Sequence, residues 1–170
     1  VVKLFHELGH AYAVKRWGGE VHDIGVLFLV FMPVPYVDAS ASSAFRDKHK
    51  RMLVGAAGIM VELMLASLAM WVWTETQPGL VRAVAFNTML IGGLSTLFFN
   101  GNPLLRFDGY YVFSDALEIP NLGTRSTQFL GYLTQRYVLR SKQAQRPLAT
   151  PGEARWFVFY GISAFCYRLF

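Results

Sequence analysis

The stretch LVGAAGIMVELMLASLAMWVW, residues 53–73, restricts this chain more than any other. It carries one charge, Glu62. As a helix it is about 31 Å long, close to the thickness of a bilayer's hydrocarbon core. A second apolar run, LVRAVAFNTMLIGGLSTLFF at 80–99, also has one charge, Arg82, near enough its end to snorkel to the interface. Between them TETQPG (74–79) makes a short polar turn. The two runs predict one span that leaves the membrane and a second that returns.

Composition agrees. Hydrophobic residues make up 54% and charged residues 16%, where a soluble domain carries about a quarter charged. The first and last residues fall inside the apolar stretches VVKLF and WFVFYGISAFCYRLF, so the chain reads as a fragment of a longer one. The net charge is +5. Its basic residues cluster in RDKHKR (46–51) and between Arg125 and Arg146, a window without an acidic residue. Beside such apolar neighbours, these clusters read as cytoplasmic flanks of membrane spans rather than as a nucleic-acid surface. The only cysteine is Cys166, which leaves no disulfide framework and no cysteine metal site.

The rest of the chain fills in around the spans. Residues 1–17 read as a helix stopped by Lys15, Arg16 and Gly18-Gly19. In EVHDIGVLFLVFMPVPYVDAS, Val and Phe favour strands while Pro33 and Pro35 forbid a continuous helix, so one or two strands or a hairpin are expected at the membrane boundary. NGNP (100–103) breaks the second span, and LLRFDGYYVFSDALE resumes as a helix. Residues 125–140 suit an interfacial helix that turns Phe129, Leu130, Leu133, Tyr137 and Val138 to lipid. QAQRPLATPGE is a loop, and Trp156 onward begins a further span. The expected fold is an all-α membrane protein: a multi-span transmembrane helical bundle with a small membrane-associated strand element. The positive-inside rule puts RDKHKR and 125–146 in the cytoplasm and TETQPG outside.

The chemistry-bearing stretch is HELGH at 6–10. Four residues apart on a helix, His6 and His10 share a face and suit two ligands of one zinc ion. Glu7 then stands where a carboxylate can act as general base. Catalytic zinc takes three protein ligands, so a third must come from elsewhere. The extended soluble pattern would need Gly and His where Ala13 and Arg16 stand, and His22 lies past the glycine stop. Asp108 is the better candidate. It is a carboxylate in a span-associated segment, beside a helix break of the kind tolerated only against protein or a wet cavity. Asn102 before Pro103 suits a plain turn as well as a substrate contact. Glu62 reads as a structural partner of Lys3 or Arg106 rather than a catalytic group.

HELGH at 6–10 followed by NPLLRFDG at 102–109, with a span between them, resembles the site-2 protease family of intramembrane zinc metallopeptidases. The resemblance covers roughly residues 1–118. It implies that His6, His10 and Asp108 carry Zn²⁺, that Glu7 is the catalytic base and that Asn102 contacts substrate. Where that family commonly has Gly-Pro and Asn in its middle span, this chain has Gly58-Ile59 and Glu62. The expected organisation is a metallopeptidase-like membrane core over 1–118, a basic interfacial segment over 119–153, and the start of a further transmembrane helix over 154–170. The expected partners are the lipid bilayer and a peptide or transmembrane protein substrate. Cleavage near the cytoplasmic face is the expected activity. The rival class is a non-catalytic zinc-binding scaffold or transporter-associated subunit, which would have no need of Glu7.

Overall fold

The computed structural model describes residues 1–141 and 144–169. Lys142 of the basic tract, Gln143 of the adjoining loop and Phe170 at the end of the expected further span lie outside the described residues.

The protein is mostly helical with one two-stranded sheet. Helix α1 spans Val2–Arg16. It stops where Gly18 adopts a φ of 77°, a conformation that costs a residue with a Cβ. The amides of Gly18 and Gly19 close back on the carbonyls of Lys15 and Val14, so the double glycine is a complete Schellman cap.

Strands β1 (Ile24–Leu29) and β2 (Met32–Val37) form the antiparallel hairpin. Its two-residue turn is Val30-Phe31, both at positive φ, as a type I′ turn demands. Asp38 N–H donates to Asp23 C=O at 2.9 Å, which fixes the alternation of bonded pairs. By that alternation Pro33 and Pro35, opposite Phe28 and Val26, fall where an N–H would point out of the sheet. Their missing donors therefore cost the ladder nothing.

Helix α2 runs Lys48–Glu75, starting five residues before the apolar run. Asp47 caps it by accepting from the His49 amide. The basic tract is thus partly its first turn. Arg51 donates to Asp115 at 2.9 Å and Lys48 lies 3.5 Å from Glu118. Helix α3 runs Leu80–Asn100, with ordinary α-geometry to Met89 and the wider π-geometry from Leu90. At the turn joining α2 and α3, Arg82 sits 4.7 Å over the Trp73 ring.

Helices α4 (Asp108–Ala116), α5 (Leu122–Leu133, extended by a π-turn to Val138) and α6 (Pro151–Leu169) complete the chain. Helix α2 is the hub, with α1, α3 and α4 all packed on it. Small residues permit this. A Cβ on Gly9 would meet Val61 at 2.9 Å and the Ala57 carbonyl oxygen at 3.1 Å. One on Gly92 would stand 2.7 Å from the Glu62 carbonyl oxygen.

Two expectations change. Phe129 is buried and Leu130 packs against Gly161, because the apolar face of α5 lies on α6 instead of lipid. Tyr137 and Val138 remain exposed. Helix α6 begins at Pro151, not Trp156. Thr150 and Glu153 exchange side-chain and backbone bonds, a capping box with proline at the first helical position.

Among the described residues two helices are long and apolar enough to cross a membrane, α2 and α3. Only 28% and 17% of their apolar windows are buried, where the core helix of a soluble protein would be mostly covered.

Candidate metal centre

Helix α1 presents His6 and His10 to α2, and both are buried. The contact depends on Gly58. A Cβ there would stand 2.5 Å from His10 Nε2 and from His6 Nε2 and Cε1. His10 Nδ1 donates to the Val54 carbonyl at 2.7 Å. That bond leaves the proton on Nδ1 and the lone pair on Nε2.

Asp108 arrives from the broken segment after α3. The Asn102 side chain accepts from the Leu104 amide at 2.9 Å, closing a turn at Pro103. The chain then doubles back so tightly that a Cβ on Gly109 would be 2.5 Å from the Gly101 carbonyl group. Only glycine fits there, and its closeness sets Asp108 at the start of α4, facing the histidines.

The three donor atoms converge. His6 Nε2 and His10 Nε2 are 3.2 Å apart, and Asp108 Oδ2 lies 3.0 Å from the first and 3.6 Å from the second. Ligands about 2.0–2.1 Å from a tetrahedral ion stand roughly 3.3–3.4 Å from one another. The triangle therefore fits one face of a zinc tetrahedron. Asp108 Oδ2 is buried without a hydrogen bond of good geometry, as an oxygen reserved for a cation would be. His6, His10 and Asp108 are the group of metal-ligating side chains found among the described residues.

Glu7, half-buried, lines the same cavity as the triad. The cavity holds about 870 Å³ and extends to a polar rim of Ser40, Ser43, Asp115 and Glu118. That rim lies at the end of α2 that carries Arg51.

Other expected residues sit elsewhere. His22 is exposed, 3.4 Å from Glu20, and takes no part. Asn102 serves the turn and is not a lining residue of the cavity. Lys3 reaches Glu62 at 2.7 Å, one of the two partners expected for that carboxylate. Sequence reasoning missed Thr96 and Asn100. Both are buried on α3 and donate to Glu62 Oε2, Asn100 at 2.8 Å. Their signal was present as two polar residues four apart at the end of an apolar run. It became readable only once Glu62 was seen opposite them.

Comparison with known protein families, with curated proteins and with solved structures finds no match to this chain.

Proposed function

We propose that this protein is a zinc metalloendopeptidase of the site-2 protease type, cutting a peptide bond of a membrane-associated or transmembrane substrate near the cytoplasmic face. The observation that carries the reading is the donor triangle of His6, His10 and Asp108 with Glu7 on the wall of the same cavity. A scaffold with a structural ion would not need that carboxylate there.

His6, His10 and Asp108 would hold the ion. Zinc in such a site would polarise a carbonyl and lower the pKa of water towards about 7. The protein's own residues do the rest. Glu7 takes a proton from the attacking water and returns it to the leaving amine. His10 is fixed by the Val54 carbonyl, so its Nε2 stays directed at the centre. The cavity brings water from the polar rim past Ser40 and Ser43 to the triad.

Support for the membrane setting comes from α2 and α3, whose apolar faces are left uncovered by protein. With α1 and the hairpin beside them they form the membrane core, a multi-span bundle. Gly58, opposite both imidazoles, is seven residues past Arg51, about 10 Å along α2. The centre thus lies within the hydrocarbon layer but nearer the basic end. A substrate helix has its carbonyls already bonded, so the scissile segment must be extended before it can react. The hairpin next to Glu7 offers β1 and β2 for such a segment to lie along.

The test is Glu7→Gln in lipid vesicles, with single-span reporter proteins carrying a helix-breaking segment. Zinc content should remain one per chain while cleavage falls by about 10²–10⁴. Undiminished cleavage by the zinc-loaded variant would sink the mechanism.

A further inference from the structure

We propose that Glu62 is a positioning residue for the metal centre, holding the His6 imidazole in the tautomer and orientation that turn Nε2 to the ion. The inference rests on the reading that His6, His10 and Asp108 bind zinc.

The two histidines are held differently. His10 has the Val54 carbonyl behind it, at 2.7 Å from Nδ1. His6 Nδ1 is buried and has no backbone carbonyl; the group opposite it is Glu62 Oε1, 3.3 Å away. A metal-bound imidazole usually gives its second N–H to a carbonyl or carboxylate, which fixes the ring and makes the ligand more basic. His10 follows the first pattern; Glu62, whose Oε1 is like His6 Nδ1 buried without a hydrogen bond of good geometry, is the carboxylate placed to complete the second for His6.

Glu62 is built for this. It is fully buried in the middle of an apolar helix, where a bare carboxylate is expensive. Its two oxygens are served from two sides. Thr96 and Asn100 on α3 donate to Oε2. Oε1 is left to α1, with Lys3 Nζ at 2.7 Å and His6 Nδ1 at 3.3 Å. The grip on Oε2 requires α3 to come close, and Gly92, packed on the Glu62 backbone, allows it. Held in this way, the carboxylate faces the back of His6. It is not one of the three side chains whose donor atoms converge. Lys3 balances its charge.

An ion pair that merely ties α1 to α2 would look similar in stability measurements but not in metal binding. Zinc affinity is therefore measured by chelator competition on the whole chain in detergent, for wild type, Glu62→Gln and Glu62→Asp. The Co²⁺-loaded forms are compared by their visible spectra. The Gln variant keeps the shape but is a weaker acceptor for His6. The Asp variant keeps the charge facing Lys3 but withdraws the carboxylate by one methylene. Both should bind zinc about 10–100-fold more weakly and show altered Co²⁺ bands while keeping wild-type helix content. A folded variant with zinc affinity within about twofold of wild type and an unchanged Co²⁺ spectrum overturns the inference. So does failure of both variants to fold, which makes Glu62 a structural residue. A wild-type chain that binds no zinc sinks the metal reading itself, and this inference with it.

Discussion

Two glycines decide whether the centre can exist. Gly58 leaves room for both imidazoles, and Gly109 lets the chain turn back to deliver Asp108. Overpacking of this kind costs about 1–3 kcal/mol, and at Gly58 the strain falls on the two imidazoles proposed to hold the ion. Gly58→Ala should therefore lose zinc affinity by more than tenfold while its thermal midpoint falls only modestly. Gly109→Ala should behave alike, because the obstacle is the backbone of Gly101 and cannot swing aside. Gly55→Ala is the control. Its Cβ would stand 3.1 Å from a Val112 methyl, which can give way, so it should keep its metal. Zinc titration of the three purified variants reads the difference, and full zinc affinity in Gly58→Ala would contradict the packing account.

The elements differ in how they are secured. Helix α2 is capped by Asp47 and tied to α4 through Arg51 and Asp115. Helix α6 depends on its capping box and on Glu153, which accepts from Arg125 of α5 at 2.8 Å. The Thr150 amide and then the Arg125 guanidinium hold the Glu153 carboxyl below its ordinary range. A carboxylate with a depressed folded pKa stabilises fully above its unfolded value, and the contribution is lost as pH falls through the folded one. Glu153→Gln should accordingly exchange the amides at the start of α6 faster than wild type at pH 7. The two proteins should converge in acid, once pH has fallen through the depressed folded pKa. Hydrogen exchange over 152–156 checks this. A gap that persists in acid would assign the effect to something other than the charge.

At the scale of the whole molecule, the proposed membrane setting predicts which compartment reaches the cavity. The basic start of α2 and the polar rim of the cavity are at one end, and TETQPG is at the other. On the proposed membrane reading, the positive-inside rule predicts a cytoplasmic location for the first end. Single cysteines at Ser43 and Thr76, in a Cys166-free background, should react oppositely with an impermeant reagent on intact cells. Thr76→Cys should label and Ser43→Cys should be protected. The reverse pattern would invert the molecule and move the centre towards the external face.

The sequence by itself determined what is local and periodic. The i,i+4 spacing of His6 and His10 follows from helical geometry. The stop at Gly18-Gly19 follows from backbone freedom, and the two apolar helices follow from length and composition. TPGE at 150–153 reads as a loop, and the capping box there is visible only in the structure. What only the tertiary structure decided concerns groups distant along the chain. The Val54 carbonyl behind His10, the Gly58 backbone against both rings, and the Thr96–Asn100 grip on Glu62 are contacts between helices. So is the packing of α5 on α6, which buries Phe129 and sets Leu130 against Gly161 rather than leaving them to lipid. Periodicity tells which face of a helix is apolar. It does not tell which neighbour that face will meet, because that depends on where the small residues let two backbones approach.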